Sequence, residues 1–185
     1  KQEITEQIKR LRSHPSLALW CGNNEVDEGW QNWGWQKQYK YSKKDSAKIW
    51  NDYDNLFHNV IPQIVKEQNP SVYYWPSSPS IGWGHKESLQ QGDSHYWGVW
   101  WGNEPFETYT KKVGRFMSEY GFQAMPDINT FKTFCDSNEL NLNSKSVKAH
   151  QKHPKGYETI QTYMERDYKI PTDFRKYIYV SQLLQ

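Results

Sequence analysis

The chain has 185 residues, with 23 Lys and Arg against 21 Asp and Glu, a formal net charge of +2. So small a charge gives no electrostatic case for nucleic acid or an anionic membrane surface as partner. Two cysteines, Cys21 and Cys135, are too few for a disulfide scaffold. No apolar run approaches the roughly 20 residues of a membrane-spanning helix.

Aromatic residues make up 16% of the chain, including 10 Trp and 13 Tyr, although only 36% of residues are hydrophobic. Two explanations stand side by side. The aromatics fill a core between large elements, or they meet a ligand with flat apolar faces and many hydroxyls, as a sugar has.

The opening KQEITEQIKRLRS has no signal-peptide pattern and spaces Ile4, Ile8 and Leu11 as a helix does, up to His14-Pro15. LALW, residues 17 to 20, reads as a buried strand, and Cys21 at its end as a buried free thiol. Residues 25 to 45 read as an aromatic and polar loop. Asp45 or Ser46 is placed to cap a helix through about Glu67, ended by Asn69-Pro70. Strand patterns follow in SVYYW (71 to 75), HYWGVWW (95 to 101) and RFMSEYGF (115 to 122). Asp127 or Asn129 starts a short helix through about Cys135, and residues 139 to 155 read as polar loop. Helical patterns cover 157 to 168 and 172 to 185. Both ends read as helices, which creates the expectation of a piece of a longer chain.

The strand segments are apolar on both faces, as in parallel sheets covered by helices. Each ends in a loop bearing acids, amides or Trp. That order fits a (β/α)8 barrel, whose active-site groups come from the strand C-terminal ends, and it also fits a doubly wound sheet. No GxGxxG or phosphate-binding loop follows a strand, which lowers nucleotide readings.

Two constellations can carry chemistry. NNE, Asn23 to Glu25, and SEYG, Ser118 to Gly121, each place a Glu at the end of an apolar strand. Cleavage of a glycosidic bond wants such a pair. One protonated carboxyl delivers a proton to the leaving oxygen, while an ionised one attacks the anomeric carbon. Taken singly, either Glu is equally a solvated or ion-paired side chain. In GDSHYWGVWWG, residues 92 to 102, strand alternation would bring His95, Trp97 and Trp101 to one face. His95 there serves a carboxylate, a sugar hydroxyl or the core. Trp30, Trp33, Trp35 and Trp83 sit in loop patterns and either stack on sugar rings or wall their own loops. His150 and His153 lack the companions of a metal site, and no serine elbow or Cys-His pair points to a triad.

Taken together, HPSLALWCGNNE (14 to 25), YWPSSPS (74 to 80), GDSHYWGVW (92 to 100), RFMSEYGFQAMPD (115 to 127) and HQKHPKG (150 to 156) resemble, in order, glycoside hydrolase family 2. Within it the likeness is to the exo-acting β-mannosidases, which have NNE where the galactosidases and glucuronidases have GNE. The resemblance implies a TIM barrel of which this chain holds the fourth to seventh strands and their helices. Residues 1 to 185 would form part of one catalytic domain of a larger multidomain enzyme, flanked by β-sandwich domains.

By the same resemblance Glu25 matches the acid/base, Glu119 the nucleophile, and Asn24 the residue that holds the 2-hydroxyl. Trp33, Trp83, His95 and Trp97 match substrate-binding positions. The partners implied are β-mannosides, the remaining strands and the sandwich domains. No metal or organic cofactor is implied. The family's compartments are periplasmic, secreted or lysosomal. The piece alone is expected to be inactive. Where the family often has Trp-His-Gly, this chain has Trp100-Trp101-Gly102, so no role of that His carries over. Another family 2 exo-glycosidase or a non-catalytic sugar-binding homologue remains the alternative.

Overall fold

Helix α1, Gln2–Leu11, forms where Ile4, Ile8 and Leu11 fall on one face, as their spacing predicts. Ile8 is the buried member and packs with Ile61, Ile64 and Val65 from helix α5, Ile61–Gln68. Ile4, Trp20, Phe57, Val60 and Tyr74 close this cluster. Each such side chain contributes about 1.5–3 kcal/mol of burial. The structure, a computed structural model, describes all 185 residues. It divides them into two compact units, one of residues 1–96 and 109–120, the other of residues 97–108 and 121–185.

In the first unit, strand β1 (Trp20–Cys21) pairs parallel with β2 (Tyr74–Trp75), and β3 (Ser94–Tyr96) pairs parallel with β4 (Met117–Tyr120). The parallel sense agrees with the apolar strand patterns, but the strands are shorter than the patterns suggest. Residues 98–102 are turns rather than a continuation of β3, and Trp97 lies outside the strand, so His95, Trp97 and Trp101 do not alternate along one strand. Backbone in that stretch leaves the extended region at Trp100, whose φ is +79°.

The chain following β1 stays beside the chain following β2. Gly22 N–H donates to Trp75 O at 2.9 Å, and Ser78 N–H to Asn23 O at 2.9 Å. Glu25 N–H then donates to Ser78 O at 2.8 Å. Gly22 is required for this approach. A Cβ there would lie 2.4 Å from Pro76 O and 2.5 Å from the Tyr74 hydroxyl.

Residues 25 to 45 are not loop throughout. They hold two short helices, α2 (Val26–Gln31) and α3 (Trp35–Gln38), which carry Trp30 and Trp35. Trp30 stacks between Tyr41 and Trp50, at ring-centroid distances of 6.3 and 6.0 Å. Helix α4, Lys43–Asp54, is capped by Ser42, earlier than Asp45 or Ser46. Ser42 Oγ accepts from Asp45 N–H at 3.1 Å and donates to the Asp45 carboxylate at 2.6 Å, a reciprocal pairing that outcompetes a later start. Between α4 and α5 the helix widens into a π turn, Asn55–Val60. Pro62 follows it. With no N–H, and with a ring that crowds the preceding turn, Pro62 gives the widening its local cause.

The second unit holds α6 (Ile128–Phe131), α7 (Lys145–His150), α8 (Gly156–Asp167) and α9 (Phe174–Leu184). Asp127 caps α6, accepting from Asn129 N–H at 2.7 Å, as the sequence suggests. Helix α7, capped by Ser144, stands inside the stretch expected to be loop. The core gathers around Tyr163. Its ring lies 4.8 Å from Phe122 and 5.2 Å from Phe106, and its hydroxyl donates to Glu104 O at 2.5 Å and accepts from Trp100 N–H at 3.1 Å. Helix α9 is tied in by Gln182 and Gln185, whose amides donate to Met125 O and Phe122 O. No helix is long and apolar enough to cross a membrane.

Candidate active site

Glu25 lies directly after the β1 extension, at the residue preceding α2. Its φ of +57° and ψ of +14° put it in the left-handed region, a costly conformation for a residue with a Cβ. Two contacts hold it there. Its N–H is bonded to Ser78 O, and the helix start behind it is closed by Asn23, whose Oδ1 accepts from Val26 N–H at 3.1 Å. Asn23 is itself fully engaged. Its amide donates to Pro76 O at 2.8 Å and to the Tyr53 hydroxyl at 2.9 Å, and its oxygen also accepts from Ser77 Oγ at 2.9 Å. Burial, then the hydrogen bond to Asp27, raises the Tyr53 pKa and holds that phenol neutral.

Glu119 arrives from the other strand pair. In the β3–β4 register His95 faces Glu119, whereas the preceding pair is Ser94 with Met117. Ser118 is thus the extra residue of a bulge, a device that re-aims a side chain beside a site. The outcome is a compact group. His95 Nδ1 lies 2.8 Å from Glu25 Oε1 and 3.6 Å from Glu119 Oε2. One atom from each of the three side chains falls within 4.8 Å of the others, so the two carboxylates present oxygens no farther apart than that. The His95 side chain is 2% exposed, and those of Glu25 and Glu119 are partly open to solvent.

Such a spacing would admit a divalent ion. Both imidazole nitrogens are engaged, however, Nδ1 with Glu25 and Nε2 with Ser78 Oγ at 3.1 Å. His95 and Glu25 are hydrogen-bonded, and Glu119 stands beside them at ion-pair distance.

Beneath them lies Asp93, fully buried. One of its oxygens accepts from Ser78 Oγ at 2.5 Å and from Ser118 Oγ at 2.6 Å, the other from Ser80 N–H at 3.3 Å. Neither Asp93 nor Ser78 nor Ser118 was singled out by sequence reasoning as a functional residue. The available signal was an acid between Gly92 and the apolar HYW run, where a strand entering a core has no use for a charge unless partners await it.

The structure treats the remaining candidates differently. Asn24 pairs with Ser78 in an isolated parallel bridge, and its side chain is exposed one residue before Glu25. Trp33 is 50% exposed, edge-on to Trp35 at 5.9 Å, and Trp83 is 38% exposed. Trp97, half-buried, belongs to the second unit. Cys21 is free but exposed, because a strand of two residues ends before the core encloses it. Desolvation of its thiol, then the charge of Asp93, still raises its pKa. His150 stacks on Phe134 at 3.7 Å and donates from Nδ1 to Ser146 O, and His153 packs against Trp100 and Trp101.

Two carboxylates about 5 Å apart at the ends of parallel strands are the chemical arrangement of the glycoside hydrolases. The comparisons with known proteins agree. No family model matches the chain. Over its whole length it is 31% identical to β-mannosidase B of Neosartorya fischeri and 32% identical to that of Emericella nidulans. It superposes along its full length on the crystal structure of a β-D-mannosidase from Dictyoglomus thermophilum, with a TM-score of 0.76 and 36% identity. In each case the chain spans 22% of the other protein's length. The resemblance read from the motifs is borne out: over its whole length the chain is similar to β-mannosidases, and it corresponds to one segment of them.

Proposed function

We propose that the chain carries the catalytic pair of a retaining exo-β-mannosidase and contributes the fourth to seventh strands of a (β/α)8 barrel. Residues 1 to 185 would then be part of one catalytic domain of a larger protein, completed by the other strands and flanking sandwich domains. The observation that carries this reading is the proximity of Glu25 and Glu119, whose oxygens approach within 4.8 Å. Double displacement calls for carboxyl groups about 5–5.5 Å apart, whereas inversion needs about 6.5–9.5 Å to seat a water between them and the sugar.

In this mechanism Glu119 attacks the anomeric carbon of a terminal β-linked mannose as Glu25 gives its proton to the departing oxygen. Glu25 then takes a proton from water, which displaces the sugar from Glu119. Asn24, exposed beside Glu25, holds the 2-hydroxyl. Trp33, Trp83 and Trp97 supply apolar faces for sugar rings, and His95 holds the two carboxylates in register. The residues perform every step without a cofactor.

The test is Glu119→Gln in the full-length protein, assayed on an aryl β-mannoside. The amide is isosteric but a poor nucleophile, so turnover falls by more than about a thousandfold. Activity within about tenfold of the parent overturns the assignment. A panel of aryl galactoside, glucuronide and glucosaminide reports whether the sugar is mannose.

A further inference from the structure

The buried Asp93 has no place in the two-carboxylate mechanism, yet its contacts reach both carboxylates. Ser78 has one hydroxyl proton. Its 2.5 Å contact to Asp93 Oδ2 commits that proton to the carboxylate, because an ionised carboxylate only accepts. Ser78 Oγ therefore meets His95 Nε2, at 3.1 Å, as an acceptor, and Nε2 must bear the hydrogen. A neutral imidazole with hydrogen on Nε2 turns a bare lone pair toward Glu25 Oε1, 2.8 Å from Nδ1. That contact holds together when one proton is shared between Nδ1 and the carboxyl. The same Asp93 oxygen accepts from Ser118, the bulge residue whose neighbour is Glu119.

We propose that Asp93 is a positioning residue: through Ser78 it sets the Nε2–H tautomer of His95 so that Nδ1 shares a proton with Glu25, and through Ser118 it holds the bulge that aims Glu119. The functional half of this rests on the β-mannosidase reading, and the tautomer does not. The charged or titratable groups facing His95 and Asp93 are Glu25 from the β1 extension, Glu119 from β4 and the Cys21 thiol from β1. Of these, Glu25 alone makes the short contact to Nδ1.

Two measurements on the full-length protein test this. Imidazole nitrogen chemical shifts of His95 report the tautomer without substrate. The wild type is expected to show hydrogen on Nε2 near neutral pH. Ser78→Ala is expected to lose that preference, and Ser78→Thr, which keeps the hydroxyl, to retain it. Hydrogen on Nδ1 alone in the wild type, or no change in Ser78→Ala, overturns the proposal whatever the enzyme's activity.

In kinetics, Asp93→Asn is expected to lower kcat on a mannoside with a poor leaving group by about tenfold or more. KM should change little, and an activated aryl leaving group should suffer less. An equal loss on both substrates sinks the positioning role. A wild type inactive on every glycoside, or an active Glu119→Gln, sinks the mannosidase reading and leaves the tautomer result standing.

Discussion

The two compact units bury different chemistry. In the first, the residues best hidden from water around the strands are Ser77, Asp93, Ser94 and His95, while in the second they are chiefly Phe131, Val147, Ile160, Tyr163 and Met164. Interior polar groups cost free energy unless each finds a partner. Around the strands Ser78, Asp93 and His95 meet that condition with short hydroxyl–carboxylate and hydroxyl–imidazole contacts, Ser118 supplying one of the hydroxyls. In the proposed reading, this polar interior holds Glu25 and Glu119 at fixed geometry. The second unit spends its interior on apolar and aromatic packing, the cheaper source of stability. There the hydroxyls of Tyr163 and Ser181 each both donate and accept.

The contrast can be broken at three points. The largest effect is expected at Glu25. Glu25→Ala should lower turnover of a mannoside with a poor leaving group by about 10²–10⁴, and azide should restore turnover of an activated aryl mannoside by occupying the space of the lost carboxyl. Absence of any azide effect would remove Glu25 from the acid/base role, and with it the reason for the polar interior of the first unit.

Next comes Tyr163→Ala, which empties the centre of the second unit and strips Glu104 O and Trp100 N–H of their partner. It should cost about 3–5 kcal/mol in denaturant unfolding. A cost below about 1 kcal/mol would mean that the aromatic cluster is not what stabilises this unit.

The smallest effect concerns pH. Burial lowers the pKa of His153, so the folded state favours the neutral ring more than the unfolded chain does. Its contribution is therefore present above the ordinary His value of about 6.5 and is lost as pH falls below it. The fall in Tm between pH 7.5 and pH 5 should be smaller in His153→Gln than in the parent. Equal falls would assign the acid sensitivity to other groups.

Several elements could be read directly from the order of residues. The one-sided spacing of Ile4 and Ile8 predicts α1, Asp127 predicts the cap of α6, and apolar runs near residues 20, 74, 95 and 118 predict four strands of parallel character. Local patterns sufficed there because the forces involved act between near neighbours. The reading failed where neighbours distant in sequence decided the outcome. HYWGVWW has strand propensity throughout, yet only Ser94–Tyr96 pairs with β4, and Trp100 is instead buried against Phe122 and His153. Cys21 looked buried because LALW is apolar, but the paired strand ends at Cys21 itself.

The sequence by itself determined which residues could do chemistry. A Glu follows each of two apolar strand runs, and flanking motifs resemble, in order, those of one family. Only the tertiary structure decided that these carboxylates converge on His95, and that Asp93, Ser78 and Ser118 support them from beneath. The reason lies in range. Side-chain type and short-range periodicity are properties of the local chain, whereas a hydrogen bond between residues 25 and 95, or 78 and 93, exists only once parallel pairing has fixed strand register. A one-residue bulge at Ser118 is enough to change which side chain faces His95.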